Sequence, residues 1–325
     1  MKTIKKTRKV KIIIASVGIV LLAVILAAVH FIGPLFGFWL IPPSPKAHGK
    51  YAISLMDRGL HANTPQWQTK RAEALDAIGK ARSREEVTPI IEDALKVAGG
   101  KHSFLTTDEQ RKEDETLFEL PTSQADGGVV TVHLPGYSGT SEQGQQYADT
   151  VANALTASGA CGAIIDLTMN DGGDMGPMLA GLSPLLPNGE VVTFNTSLGD
   201  MVVTLEGGSV KGGGTPTKTD AGATKLNIPV AIITSADTAS SGEQALLAFR
   251  GLDNVRVFGQ PSAGYASVNQ GFPLYGGLLM QLTVGETIAR TSEHFGEIPI
   301  DPDEVVSLDE APTTAREWLA SKGCN

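Results

Sequence analysis

The sequence predicts an α/β protein with a single N-terminal transmembrane helix, a small helical bundle and a larger domain in which a mostly parallel sheet carries hairpin additions. Three observations predict this fold class. An apolar run of 18 residues lies near the N-terminus, two capped helical patterns follow it, and strand and helix patterns alternate from about residue 129. With 42% hydrophobic and 19% charged residues, the 325-residue chain has a globular composition.

The first 32 residues predict a membrane anchor. Six Lys and Arg residues fall within residues 1–11, and residues 12–29 are apolar except for one serine. At about 1.5 Å per residue, such a helix nearly crosses the hydrocarbon core, and residues 30–32 complete the span. The basic flank places residues 1–11 in the cytoplasm, so the main domain is expected outside the cell.

A cleaved signal peptide is the competing interpretation of the same apolar run. The apolar region of a signal peptide is usually about 7–15 residues long and is followed by a small-residue cleavage site. The run here is longer and lacks a clean site, which favours an uncleaved anchor over residues 12–32. The protein is therefore predicted to be a single-pass protein of the cell membrane.

A stalk and a helical bundle are expected after the anchor. Residues 33–46 contain four prolines, which predict a stiff stalk. Thr64 before a proline predicts the start of a helix, and Ser83, followed three residues later by a glutamate, predicts a second one. Residues 47–100 are therefore expected to form a small helical bundle.

The remaining residues, 101–325, alternate between strand and helix patterns, as crossover units of a parallel sheet do. Residues 207–222 are rich in Gly, Thr and Lys and predict a flexible insertion near 195–225. Strands are predicted at 129–134, 163–167, 229–234 and 255–259, strand and hairpin patterns at 191–206 and 272–283, and helices at 141–158, 174–186, 240–250 and 313–322.

Charge and composition exclude several functions. The formal charge is −9, and without the six N-terminal cations 20 basic residues face 35 acidic ones, a charge of −15. An acidic surface argues against nucleic-acid binding and would attract cationic peptides, although acidity also serves solubility alone. Two cysteines and six histidines show no metal-ligand spacing, so neither a metal nor another cofactor is expected.

Ser240 is a candidate nucleophile. It lies where a small-residue loop leads from a buried strand into a helix, next to unpaired backbone N–H groups and the positive end of the helix dipole. Such a position suits a hydroxyl whose attack creates an oxyanion. Because Ser240 and Glu243 also fit a capping box, a structural N-cap is the alternative.

Two further segments carry candidate site residues. Gly172 and Gly173 follow a strand and allow backbone N–H groups to approach a bound group, although an ordinary tight turn is the alternative. His102 follows a helix that ends in two glycines, and its ordinary pKa suits a general base; a surface histidine is the alternative. His294 is the second candidate for this role.

Together these segments resemble the tail-specific, or carboxyl-terminal processing, serine peptidases. The resemblance implies that residues 101–325 form a serine peptidase core and that Ser240 is the nucleophile. The motifs that carry it are D-L-x-x-N-x-G-G at 166–173, S-A-x-T-A-S-S-x-E at 235–243, V-x-G-x-P-x-x-G at 257–264 and I-x-P-D at 300–303.

One departure from the family pattern points to a particular branch. Most of the family carry a lysine base shortly after the P-x-x-G turn, where this chain has Tyr265, a poor base at neutral pH. A minority branch, which includes the membrane-anchored nisin resistance proteins, lacks a PDZ domain and uses Ser and His. Its T-A-S-S and G-G-K-H-S motifs are found here at 238–241 and 99–103.

That resemblance implies a Ser–His dyad of Ser240 and His102. The backbone N–H of Ser241 and one from Gly172 or Gly173 would form the oxyanion hole. Asp174 and Met175, directly after the glycine turn, are predicted to contact substrate. A third residue that orients His102 cannot be chosen, and Ser103, Glu293 and Glu297 are all candidates.

The implied function is that of a membrane-anchored serine endopeptidase that hydrolyses an extracellular peptide through an acyl-enzyme. A cationic lantibiotic such as nisin is the expected substrate, and resistance is the expected result. The alternatives are a general peptidase that trims tails of exported proteins and a non-catalytic relative that sequesters peptides. A histidine base predicts activity that rises through pH 6–7, the ordinary range of the imidazole.

Overall fold

The computed structural model describes residues 2–157 and 159–324. Three residues lie outside the described part: Met1, Ser158 and Asn325. They are the first residue of the predicted cytoplasmic segment, the last residue of the predicted helix 141–158 and the last residue of the predicted peptidase core. The helices are α1 Lys2–Ile32, α2 Pro45–Met56, α3 Pro65–Lys80, α4 Arg84–Gly99, α5 Asp108–Thr116, α6 Ser141–Ala157, α7 Met175–Leu182, α8 Ser241–Leu247 and α9 Ala311–Ser321.

The strands belong to two sheets. Three 3-10 turns, Gly33–Phe36, Ser183–Leu185 and Ala221–Ala223, connect elements. The strands are β1 Phe104–Thr106, β2 Thr122–Asp126, β3 Val129–His133, β4 Gly162–Asp166, β5 Gly189–Thr196, β6 Gly199–Glu206, β7 Ser209–Lys211, β8 Val230–Thr234, β9 Val255–Gly259, β10 Val268–Pro273, β11 Leu279–Ala289, β12 His294–Phe295 and β13 Glu304–Val305.

The first sheet has six strands and is mostly parallel. Its order is β13-β9-β8-β4-β3-β2, and every pairing is parallel except that of β2 with β3. Its central strands β4 and β8 are buried along nearly their whole length, as strands covered on both faces are. The carboxyl ends of β4 and β8 lead into the two loops that carry the glycine turn and Ser240.

The second sheet corrects the prediction of one mostly parallel sheet. It has seven strands, all antiparallel, around the long strand β11, which pairs with β1, β5, β10 and β12. The hairpins at 191–206 and 272–283 are therefore not additions to the parallel sheet but parts of a sheet of their own. Two of the four partners of β11, the strands β1 and β5, are remote in sequence, so local patterns do not reveal their pairing.

The helical bundle consists of α2, α3 and α4 around buried apolar side chains that include Trp67 and Ile91. Both predicted caps are present. Thr64 Oγ1 accepts from the Trp67 N–H at 3.2 Å, and Ser83 Oγ accepts from the N–H three residues ahead. Helix α2 begins at Pro45, earlier than expected, because Ser44 caps it and a proline suits the first helical position.

One helix in the described part of the chain is long and apolar enough to cross a membrane, with its apolar stretch at Ser16–Phe36. The stalk that follows lies against the body of the protein. The Trp39 ring makes edge contacts with Tyr51 and Tyr275 at centroid distances of 5.3 and 6.0 Å. Arg84 donates to the carbonyl oxygen of Pro43 at 3.0 Å. The stalk therefore contacts the body at Trp39 and Pro43.

A disulfide bond joins Cys161, just before β4, to Cys324, just after α9. It holds the last helix on the parallel sheet, where Ala315 and Leu319 are buried. Disulfide bonds persist in oxidising compartments. The cross-link is therefore of a kind typical of domains in such compartments.

Candidate active site

A cleft of about 1150 Å³ lies between the two sheets. Both sheets supply its walls, because loops after β4 and β8 meet residues of β1, β10 and β11 there. In the described part of the chain, no three His, Cys, Asp or Glu side chains come together as a metal site requires. The predicted site residues that line the cleft are His102, Gly173, Asp174, Met175, Ser240 and Ser241.

Ser240 stands at the junction of the β8 loop and helix α8. Its Oγ lies 3.1 Å from Nε2 of His102, within hydrogen-bond reach. Its backbone has φ 50° and ψ −116°, a conformation that side-chain-bearing residues rarely adopt. Strained backbone of this kind persists only where the surroundings enforce it, and it is frequent at functional sites.

Glu243 holds the Ser240 backbone in place. Its carboxylate, which has no exposed surface, accepts from the N–H groups of Ser240 at 3.0 Å, Gly264 at 2.9 Å and Tyr265 at 2.6 Å, and from the Ser262 hydroxyl. Burial raises the pKa of Glu243, and these four donors oppose the rise. The capping motif thus reaches beyond the helix and ties it to the P-x-x-G turn.

His102 is fixed at four points. Its N–H donates to Glu297 at 3.1 Å, and its carbonyl oxygen accepts from the Asn269 amide at 2.8 Å. In the ring, Nδ1 lies 2.9 Å from Ser267 Oγ, and Nε2 faces Ser240. A ring proton on Nδ1, donated to Ser267, would leave Nε2 free to accept from the Ser240 hydroxyl.

Sequence reasoning missed Ser267. A single serine in a loop carries no motif, and only the fold brings it to the imidazole. Of the three candidates for orienting His102, Ser103 bonds with Thr283 and Glu293 pairs with Arg250. Glu297 contacts the backbone of His102 but not its ring.

The alternative bases do not face Ser240. His294, on β12, lies 3.2 Å from Glu286. The rings of Tyr265 and His102 make an edge contact at a centroid distance of 5.2 Å, and the Lys101 ammonium lies 4.4 Å from the centre of the Tyr265 ring. Tyr265 thus forms the wall beside the imidazole.

The imidazole is held in its neutral form. Mainly because of burial, the pKa of His102 is lowered to about 4; a hydrogen bond with the Ser267 backbone opposes this shift, and the Lys101 ammonium adds to it. The ring is therefore unprotonated at neutral pH and able to accept a proton. The pH 6–7 range expected from the sequence is too high for the unliganded cleft, because the ring is desolvated.

The pH dependence follows from this shift. We expect kcat/KM to fall as the pH drops toward about 4, where His102 takes up a proton, and to be level through pH 6–7. Ser267→Ala should lower kcat by about 10–100-fold, since the hydroxyl that holds Nδ1 is lost, and should leave this limb near its place, since the bond that opposes the shift comes from the backbone of residue 267. Ser267→Thr, which keeps the hydroxyl, should restore the rate. A pH–rate profile of the three proteins checks this, and a titration at pH 6–7 would contradict it.

Two backbone N–H groups in the cleft are available to a ligand. Those of Gly173 and Ser241 have no hydrogen-bond partner among the described residues, and both residues line the cleft. The Ser241 hydroxyl donates to the Gly173 carbonyl oxygen at 2.6 Å, which holds the two residues together. This pair can stabilise an oxyanion next to Ser240.

Gly172 has a different position from the one predicted. Its N–H donates to Asn170 Oδ1 at 3.1 Å, so this donor is already used. With φ 113° and a would-be Cβ only 2.7 Å from the Ser240 Cβ, the position requires glycine for close approach. Gly172 therefore shapes the site by being small.

Asp174 and Met175 lie at the cleft wall. The Asp174 carboxylate caps α7 by accepting from the Gly176 N–H at 3.0 Å and also accepts from the Thr215 N–H at 2.9 Å. It thus fastens the Gly-rich segment over the start of the helix. Met175 is 5% exposed and contacts that segment at Gly213.

Comparisons with known proteins agree with this site. The sequence profile of peptidase family S41 matches residues 128–306. The Nisin-resistance protein of Lactococcus lactis subsp. lactis is 34% identical over 303 residues, which cover 92% of this chain and 95% of the relative. The resemblance seen in the motifs is therefore confirmed.

Solved structures show the same architecture. A lipoprotein from Streptococcus agalactiae superimposes with a TM-score of 0.79 at 30% identity, over 88% of this chain and 99% of that one. A structure from Parabacteroides merdae superimposes with a TM-score of 0.59 over 86% of this chain and 97% of that one, at 15% identity, a likeness of fold alone. With the profile match covering more than half of its length, this chain belongs to peptidase family S41.

Proposed function

We propose that this chain is a membrane-anchored serine endopeptidase that hydrolyses an extracellular cationic peptide of the nisin type and so gives resistance. The observation that carries the proposal is the 3.1 Å approach of Ser240 Oγ to His102 Nε2, beside two unpaired N–H groups. A nucleophile, a base and an oxyanion site are thus within one cleft, which is what acyl transfer requires.

The steps follow from the contacts. Ser240 Oγ attacks a peptide carbonyl while His102 Nε2 accepts its proton, and Ser267 accepts a hydrogen bond from the imidazolium at Nδ1. The N–H groups of Gly173 and Ser241 bind the oxyanion. His102 then gives the proton to the leaving amine, and water, activated by the same ring, hydrolyses the acyl-enzyme.

Charge and relatives support the choice of substrate. The chain after residue 11 carries a formal charge of −15, and Asp114, Asp171 and Asp174 line the cleft against Lys101 and Arg111. Such a surface raises the encounter rate of cationic peptides. The relative from Lactococcus lactis is named for nisin resistance.

Incubation of the purified full chain with nisin tests the proposal. We expect defined fragments by mass spectrometry and none with Ser240→Ala. Cleavage of the tails of exported proteins but not of nisin would favour the general tail-trimming peptidase. Tight nisin binding without any cleavage would favour the sequestering relative.

The anchor has its own test. We expect the protein to fractionate with membranes and to keep Met1 or Lys2 at its N-terminus, because the apolar stretch has the length of a membrane span. N-terminal sequencing of both fractions checks this. A species that starts between residues 30 and 46 and is free in the medium would identify a signal peptide instead.

A further inference from the structure

The cleft continues toward the stalk. A second cavity, of about 560 Å³, is lined by residues 37–39 of the stalk and by the turn between β10 and β11, residues 274–278. Arg111 and Leu279 line both this cavity and the cleft that contains Ser240. The two cavities are therefore neighbours, and one arm of the cleft ends beside the stalk.

The β10–β11 turn is held next to the end of the membrane span. The apolar stretch covers Ser16–Phe36, and a Cβ on the next residue, Gly37, would lie 3.2 Å from the Cβ of Pro273. Trp39, two residues further on, packs on Tyr275. Because Gly37, which directly follows the apolar stretch, already lies against Pro273, the turn must lie at the level of the lipid headgroups when α1 spans a bilayer.

The side chains at this edge suit that level. Trp39 and Tyr275 are of the two residue types that concentrate at membrane–water interfaces. Arg84 lies 4.4 Å from the centre of the Tyr275 ring, and Arg58 lies 5.7 Å from that of Phe272. The rest of the domain is strongly acidic. Anionic lipid headgroups therefore attract this edge, which carries Arg58 and Arg84 beside the aromatic rings.

The strand register gives the distance from the edge to the catalytic pair. Asn269, which binds the His102 carbonyl oxygen, pairs with Thr283, whereas Pro273 at the turn pairs with Leu279. Four residues at about 3.3 Å each place His102 about 13 Å from the turn. An extended peptide covers that distance in about four residues.

We propose that the cleft takes its substrate from the membrane surface. The bilayer holds the body of a cationic peptide, and the extended tail of that peptide enters beside the β10–β11 turn and reaches Ser240. This inference rests on the proposed function for its peptidase step and its anchor. Its geometry can be tested without either peptide or turnover.

The first test measures depth in the membrane. The full chain is placed in vesicles of phosphatidylcholine and phosphatidylglycerol that carry a headgroup nitroxide, with a fluorophore on Gly276→Cys or Gly189→Cys. Both glycines have positive φ, 85° and 111°, and open space around a Cβ, so the variants are matched. Gly189 lies at the opposite end of the antiparallel sheet, beyond the pairing of Val192 with Ala289. We expect several-fold stronger quenching at Gly276, and equal quenching would overturn the inference.

The second test lifts the body off the bilayer. Ten Gly and Ser residues inserted between Phe36 and Gly37, where the apolar stretch ends, leave Trp39 packed on the body but remove its coupling to the span. We expect this insertion to abolish the difference in quenching and to slow cleavage of vesicle-bound nisin at least tenfold. Cleavage of free nisin by the detergent-solubilised protein should stay within twofold. The same insertion in the exposed β2–β3 turn, between Gly127 and Gly128, is the control and should change neither rate.

The outcomes separate the two proposals. If the wild-type chain cleaves nisin in neither form, the proposed function fails while the quenching result still decides the orientation. If the insertion after Phe36 leaves cleavage of vesicle-bound nisin unchanged, the peptidase assignment stands and delivery from the membrane surface is wrong.

Discussion

Ser240→Ala is expected to reduce peptide hydrolysis by about 10⁴-fold or more, as loss of the nucleophile does in serine peptidases. The Ser240 hydroxyl faces His102 and takes part in a capping box with the Glu243 backbone N–H, while the bond from the Ser240 N–H to the Glu243 carboxylate does not depend on the hydroxyl. The variant should therefore fold, with a change in the free energy of unfolding of about 1 kcal/mol or less. Turnover of nisin by mass spectrometry and a thermal unfolding curve measure the two effects.

Ser241→Ala is the matched control. It removes the hydroxyl that donates to the Gly173 carbonyl oxygen but keeps the backbone N–H that faces the cleft. We expect a loss of only about tenfold, since the oxyanion donor remains and is merely less well held. Full activity in a folded Ser240→Ala protein would end the serine peptidase proposal.

His102→Ala is expected to have the second largest effect, a fall in kcat of about 10³-fold or more with KM little changed. The variant removes the only ring within hydrogen-bond reach of Ser240 Oγ among the described residues. Tyr265→Phe should keep most of the rate, because the Tyr265 ring forms a wall and its backbone N–H, which binds Glu243, is retained.

The contrast between these two variants tests the branch of the family. Tyr265 occupies the place of the usual lysine base, so a base role for it is the natural rival. Steady-state kinetics of both proteins, with circular dichroism to confirm folding, decide between them. An inactive Tyr265→Phe protein beside an active His102→Ala protein would reverse the assignment.

The parts of the fold that local chemistry determines were predictable. The start of α3 follows from Thr64 and a proline, and the start of α4 from Ser83, because a cap acts within three residues of itself. The antiparallel sheet was not predictable in the same way. Strand β11 pairs with Phe104–Thr106, about 175 residues earlier, and nothing in either segment specifies the other.

The same difference between local signals and long-range contacts applies to the residues of the candidate site. Ser240 and His102 belong to motifs, so the sequence identified them, and the fold brings them to 3.1 Å. Ser267 and the second function of Glu243 depend on three-dimensional contacts across loops. The local sequence predicts only a capping role for Glu243. Three of the four groups that donate hydrogen bonds to its carboxylate nevertheless belong to Ser262, Gly264 and Tyr265.

The left-handed backbone at Ser240 bears on how this protein could lose its activity during evolution. A side chain in that conformation costs about 1–3 kcal/mol, and glycine avoids most of it. A lineage that is no longer selected for peptide hydrolysis would gain stability by replacing Ser240 with glycine. Its cleft, charge and anchor would survive, so a peptide-sequestering descendant would be recognised by glycine at position 240 in an otherwise undamaged fold.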